Sequence, residues 1–215
     1  MITGITASAR AAGRFDLLVD QQPVARLGIQ GIEQLKLRVG LSVEPELAAR
    51  IAEEATLCRT YDRAMMMLAA RGRASGELKR LLVRKGEEPR VVSMVIDRLV
   101  AAGFLDDDAF ARQFARSKST SGTSRRRIEM ELSRKGVDRE IARTAVAETF
   151  EEEHVDEAAA IDRAAEKKLR TLSKVDEQTR RRRLYSYLAR RGFDPDAING
   201  VMGRLAAGAT ATVSI

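Results

Sequence analysis

The sequence has few of the residues that carry covalent or metal chemistry. It contains one cysteine and one histidine among its 215 residues. A single cysteine excludes an internal disulfide, and these two residues are too few for a structural zinc site, which takes four Cys or His ligands. The lack of disulfides is typical of a reducing compartment, so we expect a cytoplasmic protein.

Aromatic residues are also scarce. Trp is absent and aromatic residues make up 4% of the chain, whereas hydrophobic residues make up 44%. The core must therefore be built from Leu, Ile, Val, Ala and Met, which is typical of small helical bundles and helical repeats. Long apolar runs near the ~18 residues of a membrane span are missing. The first residues also lack the pattern of a signal peptide, so we expect neither feature.

The charge is unevenly distributed along the chain. The formal net charge is +7, yet residues 1–60 contain seven basic and seven acidic residues. The whole positive excess therefore lies in residues 61–215. A basic surface of this kind indicates either a polyanionic partner or a general solubility charge, and the net charge alone does not separate the two.

The first part of the chain has the pattern of a small sheet. Strand-like segments occur near Ile2, at 15–19 and at 24–28, and turn residues separate them. A sheet this small is marginal on its own, so we expect it to pack on a helix. A short helix through Ile32 is predicted to end at Gly40, and a longer apolar-periodic stretch follows.

From residue 61 onward the chain repeats itself. Three ten-residue segments align without gaps, at 77–86, 127–136 and 183–192. Each has two apolar residues four positions apart, as one face of a helix requires. Those residues are Leu78 and Leu82, Ile128 and Leu132, and Leu184 and Leu188.

A glycine ends each of the three segments, where a left-handed conformation just past a helix is favoured. A candidate N-cap follows two residues later, so each unit is predicted to continue as helix, tight turn, helix. The glycines are Gly86, Gly136 and Gly192, and the N-cap candidates are Glu88, Asp138 and Asp194. With one preceding helix per unit, the pattern predicts a mainly α protein of three tandem three-helix repeats, forming a bent, extended array behind a small antiparallel sheet.

These patterns divide the chain into five parts. We predict an N-terminal sheet with helices at 1–60, repeats at 61–105, 106–152 and 153–207, and a flexible tail at 208–215.

Candidate catalytic residues are isolated. His154 lies in an acidic surface stretch without a second group to form a catalytic pair, and Cys58 lies on an apolar helical face that indicates a core position. The acidic run 106–108 could suggest a metal site, but acids at this position cap a helix and suit its dipole. We therefore expect no enzyme activity, cofactor or metal.

Clusters of Lys and Arg are the strongest functional signal. The arginines at 125–127 are predicted in the first turn of a helix, and those at 180–183 near the start of another. A cation there is disfavoured by about 0.3–1 kcal/mol, which an anionic partner would offset. Alternatively, the long arginine side chains extend away from the helix end. Basic pairs in the last turns of the repeated segments are explained by the helix dipole alone.

The candidate partner-binding residues form a basic face on the repeats. They are Lys79, Arg80, Arg84 and Lys85 in the first repeat, Lys118, Arg125, Arg126, Arg127, Arg134 and Lys135 in the second, and Arg180, Arg181, Arg182, Arg183, Arg190 and Arg191 in the third.

Four motifs, taken in order and spacing, resemble a known family. They are Ile2-Thr3-x-Ile5 followed by Arg14-Phe15-x-Leu17-x-Val19-Asp20, then Tyr61-Asp62-Arg63-Ala64, then Leu99-x-x-x-Gly103-Phe104-Leu105-Asp106-Asp107-x-x-Phe110-Ala111, and last the three glycine turns, of which Lys135-Gly136-Val137-Asp138 is nearest to the family form. The pattern resembles the RecX family of bacterial regulators of the RecA recombinase over about residues 2–205.

This resemblance implies a modulator that binds in the groove of the RecA–DNA filament. Such proteins limit filament growth and inhibit strand exchange, ATP hydrolysis and the coprotease activity of the SOS response. We further expect a monomer that contacts single- or double-stranded DNA weakly or through RecA. Two other interpretations stay open, namely a direct DNA binder using helix–turn–helix units and a general scaffold of the helical-solenoid kind.

Overall fold

The computed structural model describes residues 1–211, with side chains as far as residue 205. Within these residues, a small sheet precedes a series of helices, as the sequence predicts. The helices are α1 (Ile29–Gln34), α2 (Pro45–Ala70), α3 (Ser75–Arg84), α4 (Pro89–Ala101), α5 (Asp107–Ser119), α6 (Arg125–Lys135), α7 (Arg139–Glu152), α8 (Glu157–Arg170), α9 (Glu177–Arg190) and α10 (Pro195–Ala211). The predicted tail at 208–215 overlaps the end of α10, and residues 212–215 lie outside the described residues.

The sheet is antiparallel, with strand order β1 (Ile2–Ala7), β2 (Arg14–Val19) and β3 (Gln22–Gly28). A two-residue turn joins β2 to β3, and both of its residues, Asp20 and Gln21, have positive φ of 50° and 64°. Two-residue hairpin turns of this kind match the twist of the flanking strands. The predicted sheet is therefore confirmed.

The short helix after the sheet ends earlier than predicted. α1 stops at Gln34, and Lys36 takes a left-handed φ of 50°. The backbone N–H of Leu37 then donates to the carbonyl of Ile32 at 2.9 Å, which closes the helix end. The prediction of a helix up to Gly40 was wrong, because a lysine took the conformation that the sequence pattern reserves for glycine.

The three repeats are built from successive helix triplets. The first uses the C-terminal half of α2 with α3 and α4, the second α5–α7, and the third α8–α10. Each repeat buries the pair of apolar residues predicted on its second helix, and each of these side chains is at most 1% exposed. The pairs are Leu78 and Leu82, Ile128 and Leu132, and Leu184 and Leu188.

The turn after each second helix has the predicted conformation. Gly86, Gly136 and Gly192 have φ of 89°, 87° and 85°. The carboxylate of Asp138 accepts hydrogen bonds from the first backbone N–H groups of α7, and Asp194 accepts from Ala197 N at 2.8 Å. These bonds satisfy donors that a helix start leaves without an intrahelical partner.

Contacts between residues divide the chain into two compact units, 1–105 and 106–215. In the first unit the sheet packs on α2, and the guanidinium of Arg14 donates to the carboxylate of Asp62, with Nε 3.0 Å from Oδ1. α2 runs unbroken through residues 60 and 61, so the predicted boundary between sheet and first repeat lies inside one helix. The second unit contains the second and third repeats.

Candidate partner-binding surface

The predicted cations of the first repeat lie in and just after α3. Lys79, Arg80, Arg84 and Lys85 are all exposed. Val83, which lies among them, is 39% exposed, so this helix presents an apolar side chain within a basic surface. Lys85 also lines an open groove of about 500 Å³ against α2.

In the second repeat, the structure brings two predicted cations together over an aromatic pair. The rings of Phe110 and Phe114, four residues apart on α5, stack with centroids 6.2 Å apart and an interplanar angle of 18°. The Lys135 ammonium lies 5.9 Å and 5.5 Å from these two ring centroids. The Lys118 ammonium lies 5.2 Å from the Phe114 ring. The prediction from sequence did not include the phenylalanines, although their spacing places them on one helix face.

A partly buried carboxylate neutralises part of this basic face. Glu131 accepts from Arg127 Nε at 2.8 Å and lies 3.1 Å from the Lys118 ammonium. Burial opposes ionisation of Glu131, but hydrogen bonds from Arg127 and Lys118 outweigh it and lower the pKa of this carboxyl. Arg127 and Lys118 are therefore held in an internal ion-pair network.

The three arginines at the start of α6 have different surroundings. The backbone N–H of Arg125 donates to Glu157 Oε1 at 3.0 Å, and its Nε lies 3.6 Å from Glu157 Oε2. Its guanidinium also lies 4.9 Å from the Phe150 ring centroid. Arg126 is exposed, and within the described part of the chain it has no ion-pair partner. A partner could therefore reach Arg126 without breaking an ion pair recorded among the described residues.

The start of α6 is also where the third repeat packs on the second. The backbone N–H and the hydroxyl of Ser124 both lie 3.2 Å from the Arg191 carbonyl and donate to it. The Arg191 guanidinium in turn donates to the carbonyls of Ser121 and Gly122. Arg191, predicted as a partner-binding residue, is thus half-buried in the junction between these repeats.

The arginine run of the third repeat lies deeper in its helix than predicted. α9 begins at Glu177, so Arg180 to Arg183 fall after its first three residues. Asp176 caps the helix by accepting from Thr179 N at 2.8 Å, and Glu177 pairs with Arg180. The following arginines are exposed, and none of them has an ion-pair partner among the described residues.

The remaining predicted partner-binding residues lie in the last turns of their helices. Arg84, Arg134 and Arg190 are exposed in the last turns of α3, α6 and α9. Positive charge there suits the helix dipole, so these positions have a structural reason independent of any partner.

The candidate catalytic and metal-binding residues of the sequence lie at helix-capping, core and surface positions. Asp106 caps α5 by accepting from Ala109 N at 2.9 Å, and Cys58 is buried at 6% exposure, both as the sequence predicts. His154 is exposed. Across residues 1–205, whose side chains are described, no group of three potential metal ligands occurs. Among the described helices, none combines the length and apolar character needed to cross a membrane.

The fold and this surface define a class of protein built from tandem three-helix repeats with basic, solvent-exposed second helices. Family models identify it further, because the first, second and third three-helix domains of RecX match residues 61–99, 106–146 and 156–202. The chain belongs to the RecX family.

Individual relatives agree with this assignment. A regulatory protein RecX from Pelodictyon phaeoclathratiforme is 38% identical over 140 residues, covering 65% of this chain and 84% of the relative. One from Geobacillus kaustophilus is 30% identical over 208 residues, covering 94% and 76%. Two solved structures share the fold. A crystal structure of regulatory protein RecX has a TM-score of 0.76 at 20% identity, covering 94% of this chain and 98% of the other. RecX from Lactobacillus salivarius has a TM-score of 0.55 at 22% identity, covering 71% and 97%.

Proposed function

We propose that this protein binds the RecA–DNA filament and modulates RecA, mainly by inhibiting it. Through RecA it would affect homologous recombination, DNA repair and the SOS response. The observation that carries the proposal is the set of exposed cations without ion-pair partners among the described residues, Arg126 on α6 and Arg181 to Arg183 on α9. Unneutralised cations on successive repeats favour an extended polyanion over a small ligand.

Membership of a family of regulatory proteins supports a binding role. We infer that the protein acts without catalysis or a cofactor, as a cytoplasmic monomer. It would contact DNA weakly or through RecA, and its predicted site residues lie on separate repeats, as suits a long partner.

The test is ATP hydrolysis by RecA on single-stranded DNA, with this protein titrated below one molecule per RecA. We expect inhibition at substoichiometric amounts, since a filament modulator acts on assembly. The variant Arg126→Gln/Arg181→Gln/Arg182→Gln should need a higher concentration for the same inhibition.

A control variant removes two exposed charges outside the predicted set. Arg90→Gln/Arg139→Gln changes the first turns of α4 and α7, and both arginines are exposed. This control should inhibit like the unmodified protein. If the unmodified protein leaves RecA hydrolysis unchanged but binds duplex DNA by itself, the direct DNA-binding interpretation replaces the proposal. If it affects neither, a scaffold with another partner replaces it.

A further inference from the structure

The face of α9 that carries the arginine run also carries an exposed tyrosine. Arg181 and Arg182 lie four and three residues before Tyr185, which places all three on one side of the helix. Together with Asn199 of α10 they line a shallow pocket of about 330 Å³. Met202, 8% exposed, contributes to the pocket from α10.

Tyr185 differs from the other two tyrosines of the chain. Tyr61 and Tyr187 are half-buried, and the guanidinium of Arg14 or Arg191 lies over each ring, at 5.8 Å and 4.9 Å from the centroid. Tyr185 is 37% exposed, and no cation covers its ring within the described part of the chain. Its ring is therefore available for stacking in a way that the other two are not.

The neighbouring arginines have no compensating acid among the described residues. The two acidic residues at the start of α9 are both committed, Asp176 to the helix cap and Glu177 to Arg180. Arg181 and Arg182 are exposed and have no ion-pair partner among the described residues. Like charges at one pocket repel, so an anion that contacts both arginines would relieve an unfavourable interaction.

We propose that this pocket binds single-stranded nucleic acid, with a base stacked on Tyr185 and the flanking phosphates on Arg181 and Arg182. Asn199 supplies an amide able to donate to and accept from the edge of the base. A single strand fits better than a duplex, because only an unpaired base can place its face against an exposed ring. This inference rests on the proposed function, since it assigns the nucleic-acid strand of the filament to one part of the basic surface.

The test is binding of the full chain, without RecA, to a fluorescein-labelled oligothymidylate, followed by anisotropy over a range of salt concentrations. Tyr185→Ala should weaken binding about tenfold, because one base no longer stacks, with an unchanged salt dependence. Tyr185→Phe, which keeps the ring, should bind like the unmodified protein. Arg181→Gln/Arg182→Gln should make the slope of log K against log salt shallower by about 1.4, because each neutralised phosphate of a single strand contributes roughly 0.7 to this slope.

Tyrosine emission gives a second readout, because the chain contains three Tyr and no Trp. Bound oligothymidylate should quench part of this emission, and the quenching should be lost in Tyr185→Phe although that variant still binds. The control Arg90→Gln/Arg139→Gln should retain both affinity and quenching.

Three results would overturn the inference. The first is equal binding by Tyr185→Ala and the unmodified protein. The second is a duplex of the same length competing as well as the single strand. The third is polyglutamate competing as well as the oligonucleotide, which would indicate a site for an acidic protein. These results are independent of RecA, so RecA inhibition without oligonucleotide binding would remove this site and leave the proposed function standing.

Discussion

Two turn glycines have the same backbone conformation but differ in how closely other residues pack against them. Gly86 and Gly192 have φ of 89° and 85°, so a side chain at either position would be strained by a similar amount. A Cβ on Gly86 would have no heavy atom within 4 Å. A Cβ on Gly192 would lie 2.6 Å from Ser124 Oγ and 3.1 Å from Arg127 Cα. Gly192 therefore serves both its own turn and the close approach of the third repeat to α6.

We expect Gly192→Ala to loosen the junction between the second and third repeats, whereas Gly86→Ala should strain only its own turn. The backbone N–H of Ser124 reports on this junction, because it donates to the Arg191 carbonyl at 3.2 Å. Hydrogen exchange at Ser124 should be about tenfold or more faster in Gly192→Ala, since an overpacked contact costs roughly 1–3 kcal/mol. Gly86→Ala should leave exchange at Ser124 unchanged. Equal protection in the two variants would contradict the close approach.

The conformation of these glycines could be predicted from the sequence, but their surroundings could not. A glycine after a periodic helix indicates a left-handed turn by local rules. The contact of residue 192 with residue 124 joins positions far apart in the chain, and no periodic pattern encodes such a pair. Lys36 shows the limit of the local rule itself, because it takes a φ of 50° without being glycine.

At the scale of elements, α6 and α9 differ in which element supplies the acidic residue near their first N–H groups. α9 begins with Asp176 as its cap and Glu177 in its first turn, and the exposed Arg181 to Arg183 follow one turn later. α6 has no acid in its first turn, and Glu157 of α8 supplies one from the neighbouring repeat. A carboxylate near the first N–H groups of a helix is favourable whichever element carries it. Arg125 therefore has a compensating acid within the chain, whereas Arg126 has no ion-pair partner among the described residues.

Substitutions of two adjacent arginines, Arg125 and Arg126, should therefore have different effects. Arg125→Gln removes an ion pair with Glu157 and a contact with Phe150, so the free energy of unfolding should fall by about 1 kcal/mol. Arg126→Gln should change it by less than about 0.5 kcal/mol, as is usual for exposed positions, and should weaken binding to the RecA filament. Urea unfolding followed by circular dichroism measures the first effect, and filament pelleting measures the second. A stability loss confined to Arg126→Gln would reverse the assignment.

The helices themselves could be predicted because apolar residues recur in each segment with a period of about 3.6 residues. Less of the candidate surface could be predicted. Charge in the sequence indicated which residues are basic, but it did not separate Arg126 from Arg191, which is half-buried against the carbonyls of 121 and 122. The Phe110 and Phe114 pair under Lys135 was missed because two aromatic residues on a helix face also fit a core position.

At the scale of the whole molecule, the proposed binding to the RecA filament could involve one repeat or all three. Exposed cations occur on the second helix of every repeat, namely Lys79 and Arg84 on α3, Arg126 on α6, and Arg181 and Arg182 on α9. The first of these helices lies in one compact unit and the other two in the second unit. Repeats that bind one long partner together contribute separate free energies to a single affinity.

We therefore expect reductions in affinity for the RecA filament to add when the second helices are changed one repeat at a time and then together. The variants are Lys79→Gln/Arg84→Gln, Arg126→Gln, and Arg181→Gln/Arg182→Gln. Because each variant changes the helix of a different repeat, the combined reduction should equal the sum of the single reductions within about 0.5 kcal/mol. Anisotropy of a labelled filament, titrated with each variant at one salt concentration, gives these affinities. If a single repeat makes the contact, the variants of the other two will bind like Arg90→Gln/Arg139→Gln, and the remaining cations are then a charge for solubility alone.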